Sequence, residues 1–220
     1  MPPHDTTASV TEAPSTVFVI DDHGGIRKSL RYLMESTGLD VEVFECAEDF
    51  LGAYQPTRPG CVVSDVYMPG MTGVELLEKL AGKGDFRPAI LISGQGDIPT
   101  AVQAMKVGAV DFLEKPFEDD ELLERVQQCV CMDTEWRTWR AEAIDILERM
   151  DTLSPREREV MDLVVDGNST KEIARLLEIS PKTVEIHRGH VMRKMRVRSS
   201  LELVKTVLVC RKVKGSALKP

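Results

Sequence analysis

Polar side chains able to hold or transfer a charged group follow four apolar runs of the sequence. They are Asp21 and Asp22 after VFVI, Asp65 after CVVS, Ser93 at the end of AILIS and Lys115 after AVDFL. Burying an unpaired carboxylate at the end of a strand costs considerable free energy, so the acidic residues need a positive partner. A shared cation would satisfy them together.

The nature of that cation follows from the ligand types. Ligands of a parallel sheet bind beyond the carboxyl ends of its strands, where these side chains would converge. Carboxylates, backbone carbonyls and waters are the ligands that a hard ion such as Mg²⁺ prefers. We therefore expect Asp21, Asp22 and Asp65 to share a divalent ion.

The elements that position these residues alternate along roughly the first half of the chain. Amphipathic helical patterns separate five apolar runs: VFVI (17–20), VEVF (41–44), CVVS (61–64), AILIS (89–93) and AVDFL (109–113). Repeated β-α units predict an α/β domain with a doubly wound parallel sheet covered by helices on both faces.

A second, all-α region follows. Residues 118–153 contain neither Gly nor Pro. They predict either one long helix with a coiled-coil-like seam, or two helices separated by a break. Capping signals at Ser154, Ser169, Ser180 and Ser199 then predict helices near 155–166, 170–177, 181–195 and 200–211. The tight turn between the second and third of these is typical of a helix-turn-helix.

Charge is divided unevenly between these regions. The whole chain has a net charge of −8, yet residues 151–220 hold 15 Lys and Arg against 9 Asp and Glu. This asymmetry indicates two modules with different partners, the basic one suited to a polyanion. The polar start, MPPHDTTASV, lacks the apolar core of a signal peptide. The five cysteines are an odd number, which favours free thiols in a reducing compartment. We therefore expect a cytoplasmic protein without a membrane partner.

The motifs together resemble a known architecture. Asp21-Asp22, Asp65 before VYMPGMTG, Ser93, and Lys115-Pro116 resemble the receiver domain of two-component response regulators. LSPREREVMDLVV and the STKEIARLLEISPKTVEIHRGHVMRK that follows resemble the LuxR/NarL-type helix-turn-helix. The chain is similar to FixJ-like transcriptional regulators, which implies a flavodoxin-like receiver of five parallel strands in the order 2-1-3-4-5, a helical linker and a four-helix DNA-binding domain.

We expect four divisions of the chain. The polar start with its Pro and Ser predicts a disordered tail (1–15). The sequence patterns and the resemblance together imply a receiver domain (16–130), a helical linker (131–152) and a DNA-binding domain (153–220).

The resemblance assigns a role to each acidic residue. Asp65 would accept a phosphoryl group from a sensor histidine kinase. Asp22, Asp65 and the main-chain carbonyl of Tyr67 would ligate Mg²⁺, and Asp21 would act through bound water.

Three further residues would complete the phosphorylation site. Lys115 would neutralise charge on the transferred oxygens, and Ser93 would bond a phosphoryl oxygen. Phe112 matches the switch aromatic, which turns inward when Ser93 moves.

The third helix of the second module resembles the family's recognition helix, so the resemblance implies DNA contacts from it. Glu185, Ile186 and Arg188 are the candidates for base edges. Phosphate contacts are expected from Lys171, Lys182, Thr183 and Lys194. Val184, His187, Val191 and Met195 share the opposite face, so His187 is expected to be structural. In the last helix Leu201, Val204, Leu208 and Arg211 lie along one stripe. The resemblance suggests a dimer contact there, and the alternative is that these residues close the small core.

The resulting hypothesis is a transcriptional regulator gated by phosphorylation. It would dimerise when phosphorylated and bind double-stranded promoter DNA, with RNA polymerase as a further candidate partner. We expect no enzymatic turnover beyond self-phosphorylation and slow autodephosphorylation. Two alternatives stay open: a phosphorylation-independent regulator with a vestigial receiver, and a Mg²⁺-dependent phosphohydrolase with an Asp nucleophile. Tyr67 stands where the phosphohydrolase would need a second carboxylate.

Overall fold

The computed structural model describes residues 15–94 and 98–215, with side chains up to residue 209. The predicted tail lies outside this range apart from Ser15, and so do residues 216–220. The described chain forms two compact units, which divide between Arg137 and Thr138.

The first unit is a five-stranded parallel sheet with helices on both faces. Its strands are β1 (Thr16–Ile20), β2 (Asp40–Phe44), β3 (Gly60–Asp65), β4 (Ala89–Ser93) and β5 (Asp111–Glu114). Its first four helices are α1 (Gly24–Glu35), α2 (Ala47–Ala53), α3 (Gly73–Gly82) and α4 (Ile98–Val107). The strand order is β2-β1-β3-β4-β5, which confirms the flavodoxin-like order 2-1-3-4-5.

Side chains of each central strand alternate between two apolar cores, as the period of a strand requires. Phe18 and Ile20 of β1 pack into one core, and Val17 and Val19 pack into the core on the opposite face. Because both faces are covered, β1 is apolar at every position after Thr16.

The fifth strand begins later than its apolar run suggests. The prediction was 109–113, whereas β5 spans Asp111–Glu114. The amide of Ala109 donates to the carbonyl of Ala104 at 3.0 Å, closing the end of α4, and Gly108 adopts a left-handed φ of 103°. Ala109 therefore belongs to a helix terminus despite its apolar side chain.

A single helix, α5 (Asp119–Asp151), runs without a break through the segment for which two alternatives stood. Asp133 interrupts the apolar seam of α5 because its carboxylate binds the start of β3. Oδ2 of Asp133 accepts a hydrogen bond from the amide of Gly60 at 2.7 Å. Arg137 donates to the same carboxylate and to the carbonyl of Arg58, each at 2.7 Å. Across residues 15–94 and 98–215, α5 and the other helices lack the length or apolarity needed to cross a membrane.

The second unit contains four further helices around its own core. They are α6 (Pro155–Val165), α7 (Thr170–Leu176), α8 (Pro181–Lys194) and α9 (Ser200–Gly215). Complete capping boxes start α6 and α7, at Ser154 with Glu157 and at Ser169 with Glu172. At Ser199 only half of a box forms, because the Glu202 carboxylate accepts from the amide of Arg198 instead.

Candidate functional site

An acidic pocket lies at the carboxyl edge of the sheet. Asp21 directly follows β1, Asp65 ends β3, and both are buried. Lys115, after β5, donates from Nζ to Asp65 Oδ2 at 2.7 Å and to Asp21 Oδ2 at 3.0 Å. Parallel strands bring the three residues together although up to 94 positions separate them.

The electrostatics of the pocket leave its negative charge incompletely balanced. Burial raises the pKa of Asp21, and the hydrogen bonds from Lys115 and from the amide of His23 offset this only in part. Burial alone would lower the pKa of Lys115, but its bonds to Asp65 and Asp21 outweigh that effect and raise it. Lys115 therefore stays protonated at neutral pH, beside two carboxylates.

The predicted metal ligands border this pocket. Oxygen atoms of Asp21 and Asp22 and a ring nitrogen of His23 lie within 4.8 Å of one another. The amide of Tyr67 donates to Asp65 Oδ1 at 3.1 Å, so the main chain of Tyr67 shares the turn that follows Asp65.

Ser93 and Phe112 occupy the neighbouring strands. Ser93 is fully buried at the end of β4, where its carbonyl accepts from the amide of Lys115 at 2.7 Å. Phe112 lies on β5 opposite Leu91 and packs, partly buried, against the core that contains Phe18.

Two residues near the pocket were missed from the sequence. Arg27 donates from Nη1 to the carbonyl of Asp21 at 2.6 Å and so supports the loop after β1. Its position, six residues onward, carries no recognisable signal. His23 was also overlooked, although a metal-ligating residue type directly after two carboxylates was a usable signal.

The donors present fit a hard divalent cation. Carboxylate oxygens dominate, and Asp21 and Asp65 are buried. Such oxygen-rich sets suit Mg²⁺, and burial of Asp21 makes an added positive charge favourable.

The second unit presents part of its predicted DNA-contacting set to solvent. Helices α7 and α8 pack together as a helix-turn-helix, with Glu178 in the connecting turn at a left-handed φ of 55°. Four of the predicted contacts are exposed: Lys171, Lys182, Glu185 and Ile186. Thr183 is half-buried, and its amide donates to the capping oxygen of Ser180 at 3.0 Å.

Two predicted DNA contacts are instead engaged within the unit. Arg188 donates to the hydroxyl oxygens of Thr170 at 3.1 Å and Ser200 at 2.8 Å. Lys194 donates to Glu157 Oε2 at 2.6 Å and to the carbonyl of Thr152 at 3.0 Å. Both side chains hold helices of the unit together.

The remaining predicted positions of α8 and α9 divide between core and surface. Val184, Val191 and Met195 are buried, and His187 is half-buried, with a buried Nδ1 that has no hydrogen-bond partner among the described residues. In α9, Leu203 and Val207 close the core. Leu201 and Leu208 are exposed and Val204 is half-buried, and the side chain of Arg211 lies outside the described residues.

Comparisons with known proteins agree with this arrangement. Residues 17–127 match the family described as response regulator receiver domain, and residues 151–207 match bacterial regulatory proteins, luxR family. The transcriptional regulatory protein FixJ of Bradyrhizobium diazoefficiens is 45% identical over 87% of this chain and 94% of its own length. The chain belongs to the FixJ-like response regulators.

Other similar proteins support the same conclusion. TdiR of Thauera aromatica is 43% identical, covering 91% of this chain and 88% of that protein. The solved structure of StyR is 42% identical with a TM-score of 0.78, covering 89% of this chain and 99% of the other. Full-length FixJ from B. japonicum is 44% identical with a TM-score of 0.56, covering 90% and 98%.

Membership of the FixJ-like response regulators establishes the general function. This protein is a phosphorylation-dependent transcription regulator with a receiver domain and a LuxR-type DNA-binding domain. The receiver implies a kinase partner, and the LuxR-type domain implies DNA binding. Receiver domains generally bind Mg²⁺ at an acidic pocket such as the one formed here.

Proposed function

We propose that Asp65 is the phosphoacceptor and receives its phosphoryl group from a sensor histidine kinase. The observation that carries this proposal is the placement of the Asp65 carboxylate between Lys115 Nζ, at 2.7 Å, and the amide of Tyr67, at 3.1 Å. These donors orient a carboxylate that is largely shielded from water.

The transfer is a displacement at phosphorus. A carboxylate oxygen of Asp65 forms the new P–O bond, while the P–N bond of the donor phosphohistidine breaks and its electron pair returns to the imidazole. Negative charge on the transferred oxygens then lies beside the ammonium group of Lys115, because that group already pairs with Asp65.

Mg²⁺ is the proposed cofactor. Asp22, Asp65 and the carbonyl of Tyr67 would hold the ion, with Asp21 acting through bound water. When bound, the ion neutralises charge on the phosphoryl oxygens. A bound divalent cation would offset the cost of burying the Asp21 carboxylate, which is why a cation is favoured at this edge of the sheet.

We propose that Ser93 and Phe112 change position in response to the phosphoryl group. Ser93, at the end of β4, bonds a phosphoryl oxygen, and Phe112 of β5 turns inward. The face formed by α4, β5 and the first part of α5, from Thr100 to about Gln128, then rearranges and dimerises. Moving such an equilibrium from mostly inactive to mostly active takes about 5.5 kcal/mol.

In the same proposal, residues 16–130 act as receiver, 131–152 as linker and 153–220 as the DNA-binding domain. The homodimer binds promoter DNA through α8, where Glu185 and Ile186 meet base edges and Lys171 and Lys182 meet phosphates. Arg188 and Lys194 also contact DNA in this proposal, because they exchange their acceptors within the unit for acceptors on the DNA. RNA polymerase is a further proposed partner.

The only phosphoryl chemistry proposed for this protein is self-phosphorylation and slow autodephosphorylation. The proposed location is the cytoplasm.

The test is phosphoryl uptake by the full chain from acetyl phosphate with Mg²⁺, read by intact mass and by size-exclusion chromatography. We expect a gain of one phosphoryl group and a shift toward dimer. Asp65→Asn should abolish both. Asp40→Asn is the matched control, because Asp40 is exposed at the opposite end of a neighbouring strand, and it should behave as wild type. Uptake that persists in Asp65→Asn would overturn the assignment.

A further inference from the structure

An imidazole borders the acidic pocket. Nδ1 of His23 lies 3.0 Å from Asp22 Oδ1 and 3.9 Å from Asp21 Oδ1. The main chain holds this residue in place, because the amide of His23 donates to Asp21 Oδ1 at 2.8 Å. The side chain itself is 71% exposed, so its ring can turn toward an ion entering from solvent.

The spacing of these donors suits adjacent positions around one ion. Two ligands that each lie roughly 2.1 Å from an ion, at right angles, are about 3.0 Å apart. Nδ1 of His23 and Oδ1 of Asp22 have this separation. A direct hydrogen bond from Nδ1 to Asp22 has the same length, so the experiment must separate the two arrangements.

We infer that His23 supplies a nitrogen ligand which widens the ion preference of the pocket from Mg²⁺ to divalent transition ions such as Ni²⁺, Co²⁺ and Zn²⁺. This inference rests on the divalent site of the proposed function. Imidazole suits these ions, whereas Mg²⁺ prefers oxygen ligands and gains little from a ring nitrogen. His23 is therefore a selectivity-determining residue, and a transition ion competes with Mg²⁺ for the same carboxylates.

The experiment is titration calorimetry of the tag-free full chain with Ni²⁺ and, separately, with Mg²⁺. His23→Ala should weaken Ni²⁺ binding at least about tenfold and change Mg²⁺ binding less than about twofold. His23→Asn removes the imidazole but keeps a polar group beside Asp22, and it should lose Ni²⁺ affinity equally.

The matched control is His190→Ala. His190 also pairs with a carboxylate, its Nδ1 lying 3.4 Å from Glu157 Oε1, but it belongs to α8 of the second unit. This variant should leave the affinity for Ni²⁺ and for Mg²⁺ unchanged. Visible absorption of bound Co²⁺ adds a second readout, because its bands respond to a nitrogen ligand and should differ between wild type and His23→Ala.

The outcomes separate the inference from the proposed function. Normal Mg²⁺ binding with a Ni²⁺ affinity that is the same in wild type and His23→Ala would overturn the role of His23 and leave the magnesium site standing. Ni²⁺ binding that depends on His23, without any Mg²⁺ binding, would contradict the proposed magnesium cofactor and, with it, the widened preference that rests on the magnesium site. If neither ion binds wild type, both fail.

Discussion

Replacing Glu157 with glutamine should destabilise the DNA-binding unit. Oε2 of Glu157 accepts from the amide of Ser154 at 2.8 Å and from Lys194 Nζ at 2.6 Å, and the side chain is only 6% exposed. The bond from Lys194, with those from Ser154, lowers the pKa of Glu157 to about 2. The carboxylate thus ties the start of α6 to the end of α8.

The magnitude follows from this pKa. Glutamine copies the protonated carboxyl group, so the cost approximates the difference between the folded and ordinary pKa values of about 2 and 4.5. At about 1.4 kcal/mol per pKa unit this is an upper bound of about 3 kcal/mol. The Lys194 side chain is 32% exposed, and solvent screening reduces the expected loss at pH 7 to about 2 kcal/mol.

The loss should depend on pH in one direction. A carboxylate whose pKa is lowered on folding contributes all of its stability above the ordinary pKa, and loses it as the pH falls toward the folded value. The difference between wild type and Glu157→Gln should therefore be constant above about pH 5 and should shrink between pH 4.5 and about 2.

Hydrogen exchange measured by mass spectrometry on peptides from α6 and α8 reports this stability within the full chain. At pH 7 a loss of about 2 kcal/mol corresponds to roughly thirtyfold faster exchange. Glu172→Gln is the matched control, because Glu172 closes the same kind of capping box at the start of α7. Unlike Glu157, Glu172 is exposed and accepts no hydrogen bond from a lysine among the described residues. It should cause a smaller change. Equal effects of the two substitutions would refute the reasoning.

Three further predictions address the DNA contacts, the phosphorylation site and the fold. Lys182→Ala should weaken binding to every DNA sequence and lower the slope of log affinity against log salt by about one unit, as measured by fluorescence anisotropy. Tyr67→Ala, which removes a hydroxyl 3.2 Å from Thr100 Oγ1, should admit water and shorten the phosphoryl half-life measured by mass. Gly60→Ala should destabilise the receiver by about 3 kcal/mol or more in denaturant unfolding, because a Cβ would lie 1.8 Å from the carbonyl oxygen of Thr16 at a φ of 141°.

The sheet and the pocket could largely be predicted from the sequence. Apolar runs between helical patterns identify buried parallel strands, and the carboxyl ends of such strands share one edge. This rule places Asp21, Asp65 and Lys115 together without knowledge of any side-chain contact. The capping boxes at Ser154 and Ser169 are equally local, because donor and acceptor lie three residues apart.

Contacts between distant residues could not be predicted. Arg188 and Lys194 have the positive charge and the helix position expected of DNA contacts. Both nevertheless form hydrogen bonds within the unit, to partners up to 42 residues away in the sequence. The Asp133 carboxylate bonds the Gly60 amide across 73 residues, so in the sequence it looks like a defect in an apolar seam. Such pairs depend on the tertiary packing, which no local pattern encodes.

The central claim is that Asp65 carries the phosphoryl group. Borohydride reduction of the protein after treatment with acetyl phosphate and Mg²⁺ converts an aspartyl phosphate into homoserine, and peptide sequencing by mass spectrometry locates the change. We predict homoserine at position 65, with Asp21 and Asp22 unmodified. Homoserine at another aspartate, or at none while phosphoryl uptake is complete, would contradict the account.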